Sequence, residues 1–414
     1  MTDIQTMFHQ VRVSKSDVDF LRFLWWPSND VSKPPVEHRM LVHLFGAVSS
    51  PSCANFALRQ TARDNKSMFH PKVISTIENN FYVDDCLKSL PSEQEAVELV
   101  KELTSLCQKG GFRLTKWMSN SRTVLAHIPK EDRAHEVREL DLDRDKLSIE
   151  RALGLLWSVE DDMFKFNIIV KDKPHTRRNM LSIVSSIYDP LGFLCPLTLP
   201  VKLLLQELCR SKHDWDSRIP QAASDKWRRW IDHLDVLENF QVAPCVKPSG
   251  FRPLRQTELH HFSDASDHGY GTVSYLRLTA DNHMVHVSFM LGKARVAPLK
   301  QMTIPHMELA AAVLVVKVDK MLRKEVELKL SQSTFWTDSQ SVLKYIANEQ
   351  TRFHTFVANR ISLIRDNTDV SQWRYIRTKL NPADMASRGV SASTLVKCKE
   401  WIQGPEFLWR TEEE

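Results

Sequence analysis

Seven acidic residues stand out by where they sit in the sequence. Asp84 and Asp85 adjoin at the end of "FYVDD", an aromatic and β-branched run, and Asp3 heads another strand-like run, "DIQTMFHQVRV". Asp264 in "FSDAS" and Asp338 in "WTDSQ" close or interrupt apolar strand-like runs; Glu308 stands in "PHMELAA" and Asp384 in "NPADMASRG". Adjacent like charges repel, and an unpaired carboxylate in an apolar strand is costly to bury. A divalent cation offsets both costs, and hard cations such as Mg²⁺ prefer carboxylate oxygens. Two such ions about 4 Å apart can stabilise the attacking and leaving oxygens of a phosphoryl transfer. Each acid also has an ordinary explanation. Asp84–Asp85 reads equally as a solvated hairpin turn, and Asp161–Asp162 in "VEDDMF" is a similar pair with no claim to chemistry. Acids near a helix start complement its dipole, and aspartates cap helices. Glu308, three residues after Pro305, fits that role. It also shares a helical stripe with Ala311, Ala312 and Val315, so it is expected to point inward.

The elements that must position these acids are legible in outline. "FYVDDCLKSL" reads as a β-hairpin. From Ser92 a helix is expected: Glu95 follows three residues on, apolar residues recur at 96, 97, 99, 100, 103 and 106, and Gly110–Gly111 ends it. "CANFALRQTARDN", after the turn at Gly46 and "SSPS", is helical in character. "SSIYDPLGFLCPLTLPVKLLLQELCR" joins a Pro/Gly turn to a Leu-rich helix, and "SDKWRRWIDHLDVLENF" reads as an amphipathic helix. Pro244, Pro248 and Pro253 cluster with Gly250 as a linker. Three β-runs follow ("ELHHFSDAS", "YGTVSYLRLT", "MVHVSFMLG"). Then come a helix from Pro305, the strand "TFWTDSQ", two helices and the strand "WRYIRT". Three consecutive strands and then alternating helices and strands predict an α/β layout with a mixed sheet. No internal repeat is present.

Bulk properties narrow the class. A length of 414 residues favours two or three domains, and 42% hydrophobic with 26% charged residues is a soluble globular profile. The net charge of +5 is a mild bias, compatible with a polyanionic partner without requiring one. Seven cysteines, with no CxxC and no zinc-like spacing, fit free thiols in a reducing compartment. The longest apolar run, Leu309 to Val316, stops at Lys317, short of a membrane span, and no secretory leader is expected. "KWRRW" (226–230), "HTRRN" (175–179) and "KGGFRLTKW" (109–117) are basic enough to track phosphates. A buried helix face and solvated loops explain them equally well. His260 and His261 read as structural.

Several motifs together resemble a known family. "DIQTMFHQVRV", "FGAVSSPSCANFALRQT", "FYVDDCLKSL", "GGFRLTKWMSNS" and "LGLLW" resemble successive palm motifs of a reverse transcriptase, and more closely those of Pao/BEL long-terminal-repeat retrotransposons. "SSIYDPLGFLCPLTLPVKLLLQEL" is similar to the region that follows in those polyproteins, sometimes labelled a Pao-type peptidase region; no D-T/S-G aspartic protease signature occurs here. The order D…E…D…D, with "TDSQSVL" and "NPADMASRG", resembles the retroelement branch of the RNase H-like fold. The resemblance implies an α/β and α+β multidomain chain. Its parts would be a truncated palm (1–128), a helical thumb/connection region (129–250), an RNase H-like mixed five-stranded sheet with helices (251–392) and a C-terminal tail (393–414). It implies that Asp3, Asp84 and Asp85 are polymerase metal ligands. Gly46, Ser50 and Pro51 would shape the template and nucleotide pocket, with Tyr82 beside the catalytic pair. Lys116 would be the basic residue after the catalytic hairpin, and Leu153–Trp157 the primer-gripping strand. Asp264, Glu308, Asp338 and Asp384 would hold two Mg²⁺ ions, with Mn²⁺ as the alternative.

The implied partners are template-primer and RNA–DNA hybrid, with other parts of the polyprotein and no membrane, in cytoplasmic particles. Two departures qualify this. The sequence starts two residues before Asp3, so DNA synthesis would need a fingers segment from elsewhere. "RYIRTKLNPADMASRG" also has none of the mobile histidine that many RNase H enzymes carry near the last aspartate. The expected chemistry is therefore Mg²⁺-dependent hydrolysis of the RNA strand of a hybrid. The competing expectation is a non-catalytic retroelement remnant or nucleic-acid-binding module.

Overall fold

In the computed structural model the run "FYVDDC" folds as the expected hairpin. The structure describes residues 1–411 apart from 141, 143, 144, 148, 153, 167, 169, 171, 172, 249, 252 and 301, and the backbone alone for 149–152. Leu153 of the expected primer-gripping strand thus lies outside the described residues. The chain divides into two compact units, Met1–Asp162 and Met163–Glu414.

In the first unit, strand β1 is Thr2–Ile4, and helices α1 (Ser50–Asp64) and α2 (Pro71–Asn79) follow. The hairpin strands are β2 (Phe81–Tyr82) and β3 (Asp85–Cys86), after which come helix α3 (Glu93–Lys109) and strand β4 (Leu114–Thr115). The strands form an antiparallel sheet in the order β2-β3-β1-β4. Tyr82 faces Asp85 across the hairpin, which leaves Val83–Asp84 as its two-residue turn. Val83 has φ +57°, a sterically costly conformation for a β-branched residue. The Ser92 hydroxyl accepts the Glu95 N–H and starts α3, which buries Val97, Leu103, Leu106 and Cys107.

The second unit contains helix α4 (Cys195–Arg210), then three long strands, β5 (Leu254–Ala265), β6 (Gly269–Ala280) and β7 (Val285–Val296). Helix α5 (Ile304–Glu325), strand β8 (Thr334–Thr337), helices α6 (Gln340–Ala347) and α7 (Thr355–Asn367), strand β9 (Trp373–Tyr375) and helix α8 (Ala383–Arg388) complete it, with short helical turns after them. The sheet order is β7-β6-β5-β8-β9. The first three strands are antiparallel, β8 runs parallel to β5 and β9 parallel to β8. This is the mixed five-stranded sheet expected from the element order.

Side chains alternate across β5. His261 lies on the α5 side, wholly buried, its ring nitrogens bonded to Ser274 Oγ (2.7 Å) and Asp319 Oδ1 (2.9 Å). On that side Leu309, Ala312 and Val316 pack with Phe335, Ile361 and Trp373. Phe262 and Asp264 belong to the other side, where Phe262 meets Tyr275 and Phe407.

Three readings from the sequence resolve on packing. The proline-rich stretch expected as a linker lies inside the second unit, with Val246 and Phe251 packed against the core. In "KWRRW", Trp227 and Trp230 stack 5.2 Å apart on the buried face of their helix, and the Trp230 indole donates to Leu197 O. In "HTRRN", Arg177 lies over Trp215 and Arg178 pairs with Asp216. No described helix is long and apolar enough to cross a membrane.

Candidate metal centre

Adjacent parallel strands bring the first two acids of the second unit together. Ser263 of β5 faces Thr337 of β8, so the next residues, Asp264 and Asp338, emerge side by side where the pair ends. Glu308 approaches from near the start of α5, on the inward stripe expected for it, and is 8% exposed. Ligand oxygens of Asp264, Glu308 and Asp338 all lie within 4.8 Å of one another. Among the described residues no other group of three or more His, Cys, Asp or Glu closes in this way. Glu308 Oε2 and Asp338 Oδ1 are buried without a hydrogen-bond partner.

Asp384, on α8, is half-buried at the rim, and its carboxylate is paired with Arg388 at 2.6 Å. It lies close enough for its charge to raise the pKa of Asp264, yet stays outside the closed group of three. The same helix supplies Ser387, whose hydroxyl donates to Asp264 Oδ2 and lies 3.1 Å from the Asp384 carbonyl oxygen. This close approach depends on Gly271, the cross-strand neighbour of Asp264. A Cβ there would stand 2.5 Å from the Ala386 Cβ.

The electrostatics follow from the geometry. Burial, and then the charges of Asp264 and Asp338, push the Glu308 carboxyl up to about 9. Burial pushes Asp264 up to about 7, opposed by the Ser387 hydrogen bond and reinforced by Asp338 and Asp384. Near neutral pH Asp264 and Glu308 cannot both be fully ionised unless positive charge arrives between them. A set of hard oxygens, two of them orphaned, fits a divalent cation of the Mg²⁺ type.

The acids of the first unit are arranged differently. Asp3 on β1 faces Asp85 on β3, and Lys116 Nζ meets Asp3 Oδ2 at 2.9 Å. Burial raises the Asp85 pKa, followed by the charges of Asp84 and Asp3, while Lys116 lowers it. The hydrogen bond to Asp3 raises that of Lys116. Here a lysine supplies the compensating charge. Of the other expected residues, Gly46 is exposed with φ +88°, Ser50 is buried with its hydroxyl 3.3 Å from His43 Nδ1, and Pro51 opens α1. Tyr82 is 72% exposed beside the acids. Trp157 is buried, its indole donating to Asp162.

Sequence reasoning singled out neither Ser387, Arg388 nor Gly271. The first two had a readable signal, since they stand three and four residues after Asp384 and so share its helix face.

Residues 176–339 match the family model for a Pao retrotransposon-like RNaseH-like domain, a span that contains Asp264, Glu308 and Asp338. No curated protein matches the chain. Three solved structures are similar at low identity. One is the N-terminal RNase H domain of a Mycobacterium tuberculosis protein fused to maltose binding protein (11% identity, 29% of this chain and 83% of that chain, TM-score 0.19). Another is RNase H1 from the halophilic archaeon Halobacterium salinarum (11%, 32% and 94%, TM-score 0.21). The third is the foamy viral protease-reverse transcriptase in complex with dsDNA (13%, 91% and 68%, TM-score 0.24). Over residues 176–339 the chain is thus similar to a Pao retrotransposon-like RNaseH-like domain.

Proposed function

We propose that the chain carries a ribonuclease H-type centre that hydrolyses the RNA strand of RNA–DNA hybrids, with Asp264, Glu308, Asp338 and Asp384 as its acids. The observation that carries this reading is the convergence of two buried carboxyl groups, Asp264 and Glu308, with the half-buried Asp338, two of their oxygens being orphaned. These four residues would hold the divalent cations, Mg²⁺ or Mn²⁺. Bound there, such ions polarise a phosphate and lower the pKa of a coordinated water. The chain's own groups do the rest. Ser387 fixes the orientation of Asp264 through its hydroxyl, and Glu308 and Asp264 give up carboxyl protons as the site loads. Arg388 holds Asp384 at the rim, where the site opens.

In the same reading, residues 1–128 belong to a reverse-transcriptase palm, 129–250 to a thumb/connection region, 251–392 to the RNase H-like part and 393–414 to the C-terminal segment. Asp3, Asp84 and Asp85 would be the polymerase acids. Gly46, Ser50, Pro51, Tyr82, Lys116 and Trp157 would serve template and nucleotide. Loading that site requires Lys116 to leave Asp3. Such a chain would work on template-primer and hybrid in cytoplasmic particles.

The test is hydrolysis of a hybrid labelled on its RNA strand by the purified full chain in Mg²⁺ and Mn²⁺, beside Asp338→Asn. Cleavage is expected from the wild type and a loss of at least about 100-fold from the variant, in line with removal of a group that stabilises transition-state charge. Folded wild type that binds hybrid without cutting it in either ion would sink the hydrolytic reading and leave a nucleic-acid-binding module.

A further inference from the structure

We propose that a separate phosphate-binding crevice, lined by Lys202, Lys293 and Arg295, lies beside the acidic centre and grips the backbone of the nucleic acid about three nucleotides from the cleavage point. Two walls build it. Cys195, Thr198 and Lys202 stand at i, i+3 and i+7 on one face of α4, and the end of edge strand β7, through Lys293 and Arg295, lies opposite. The space between is a cavity of about 260 Å³. Its shape is set by backbone contact: Gly292 N–H donates to Leu191 O at 2.8 Å, and a Cβ on Gly192, which has φ +79°, would stand 1.9 Å from Gly292 O.

The charge of the crevice is unbalanced. Among the described residues, the side chains of Lys202, Lys293 and Arg295 form no ion pair or hydrogen bond. Asp189 is the only acid in the lining. Its two oxygens accept the backbone N–H groups of Phe193 and Leu194, and burial pushes its carboxyl up to about 6. Three cations against one committed carboxylate fit an oxyanion with several acceptor oxygens.

Strand register gives the distance to the acids. Ala294 faces Gly271 and Gly271 faces Asp264, so the crevice wall is two strands from Asp264, about 10 Å. Helix α8 bridges the interval: Ala386 lies over Gly271, and Gly389, just past its end, packs on Pro200, two residues before Lys202. A nucleic-acid strand carries one charge per roughly 3.4 Å of axis, so about 10 Å corresponds to about three phosphates. The choice of nucleic acid as the source of that phosphate rests on the hydrolytic reading above. The crevice itself does not.

The experiment uses the full chain in Ca²⁺, with hybrid affinity measured by fluorescence anisotropy across a salt series. The variants are Lys202→Gln and Arg295→Gln, with Lys320→Gln, an exposed lysine of α5 outside the crevice lining, as control. Each crevice variant is expected to weaken binding about 3–10-fold and to reduce the slope of log affinity against log salt by about one, the control neither. Unchanged affinity and slope in both crevice variants overturn the proposal, as does a wild type that binds no hybrid. Inorganic phosphate is titrated separately by thermal shift. A phosphate-induced shift lost in Lys202→Gln, together with unaltered hybrid affinity, would assign the crevice to free phosphate and overturn the backbone contact. Salt-sensitive binding that needs Lys202 but yields no cleavage in Mg²⁺ would sink the hydrolytic reading and leave the crevice standing.

Discussion

Asp264 and Glu308, whose ligand oxygens lie with that of Asp338 within 4.8 Å of one another, carry a proton affinity that an unfolded chain lacks, and this makes the centre measurable without any substrate. The folded-state values of Asp264 and Glu308, about 7 and about 9, lie above their ordinary 3.8 and 4.5. The cation-free folded protein therefore binds more protons than the unfolded chain between about pH 4 and pH 9. Its stability is undiminished by these groups below that window and falls as pH rises through it. A divalent cation competes with the same protons, so its stabilising effect must grow over the same interval. We expect Mg²⁺ to leave Tm unchanged near pH 5. Near pH 8.5, at about 100 times Kd, it should raise Tm by about 5–10 °C, the equivalent of about 2.7 kcal/mol. Asp338→Asn should flatten the response in the same thermal scans. A gain independent of pH, or one that survives the substitution, would place the ion elsewhere. Asp384 should join only on loading. An exposed i,i+4 pair like that with Arg388 contributes about 0.3–0.5 kcal/mol, little enough for the carboxylate to swing inward.

At the scale of elements, the centre depends on how close α8 can come to the sheet. Gly271 leaves no side chain under Ala386, and that contact sets the reach of Ser387 to Asp264. Gly271→Ala would force the helix outward, at an overpacking cost of about 1–3 kcal/mol. It should cut hybrid turnover at least tenfold while the fold persists by circular dichroism. Adding Ala386→Gly returns the space, so the double variant should recover part of both losses; the absence of any such coupling would mean the contact does not set the site.

This device also marks what could be read in advance. The hairpin at 81–86, the helix from Ser92, the three long strands and the inward stripe of Glu308 follow from local periodicity and capping. The meeting of Asp264 with Asp338, of Asp3 with Asp85, and of Ser387 with Asp264 depends on strand register and helix packing between residues far apart in the chain. No local pattern encodes that. Composition around "KWRRW" suited two explanations equally, and only burial of both tryptophans separated them.

For the molecule as a whole, the second unit reaches to the described end of the chain. The segment expected as a C-terminal tail packs on the β6–β7 side of the sheet. Trp401 is wholly buried, its ring 5.6 Å from that of Phe289 and its indole N–H donating to Phe193 O. The Tyr275 hydroxyl donates to Trp401 O at 2.9 Å. The buried Arg277 guanidinium donates to the carbonyls of Leu408 and Arg410. One tryptophan thereby ties the C-terminal segment to β7 and to Phe193 in the turn that leads into α4, beside the elements that wall the crevice. Trp401→Ala should cost about 3–5 kcal/mol, the range for emptying a large buried aromatic site. For a unit of this size that lowers Tm by roughly 10 °C. Trp409→Ala removes an indole that is 37% exposed and should cost much less. Scanning calorimetry of the full chain discriminates the two. If the second unit is stabilised through its C-terminal segment, Trp401→Ala shifts one transition and leaves that of Met1–Asp162 in place, whereas a wild-type profile would show that the sheet holds without this cover.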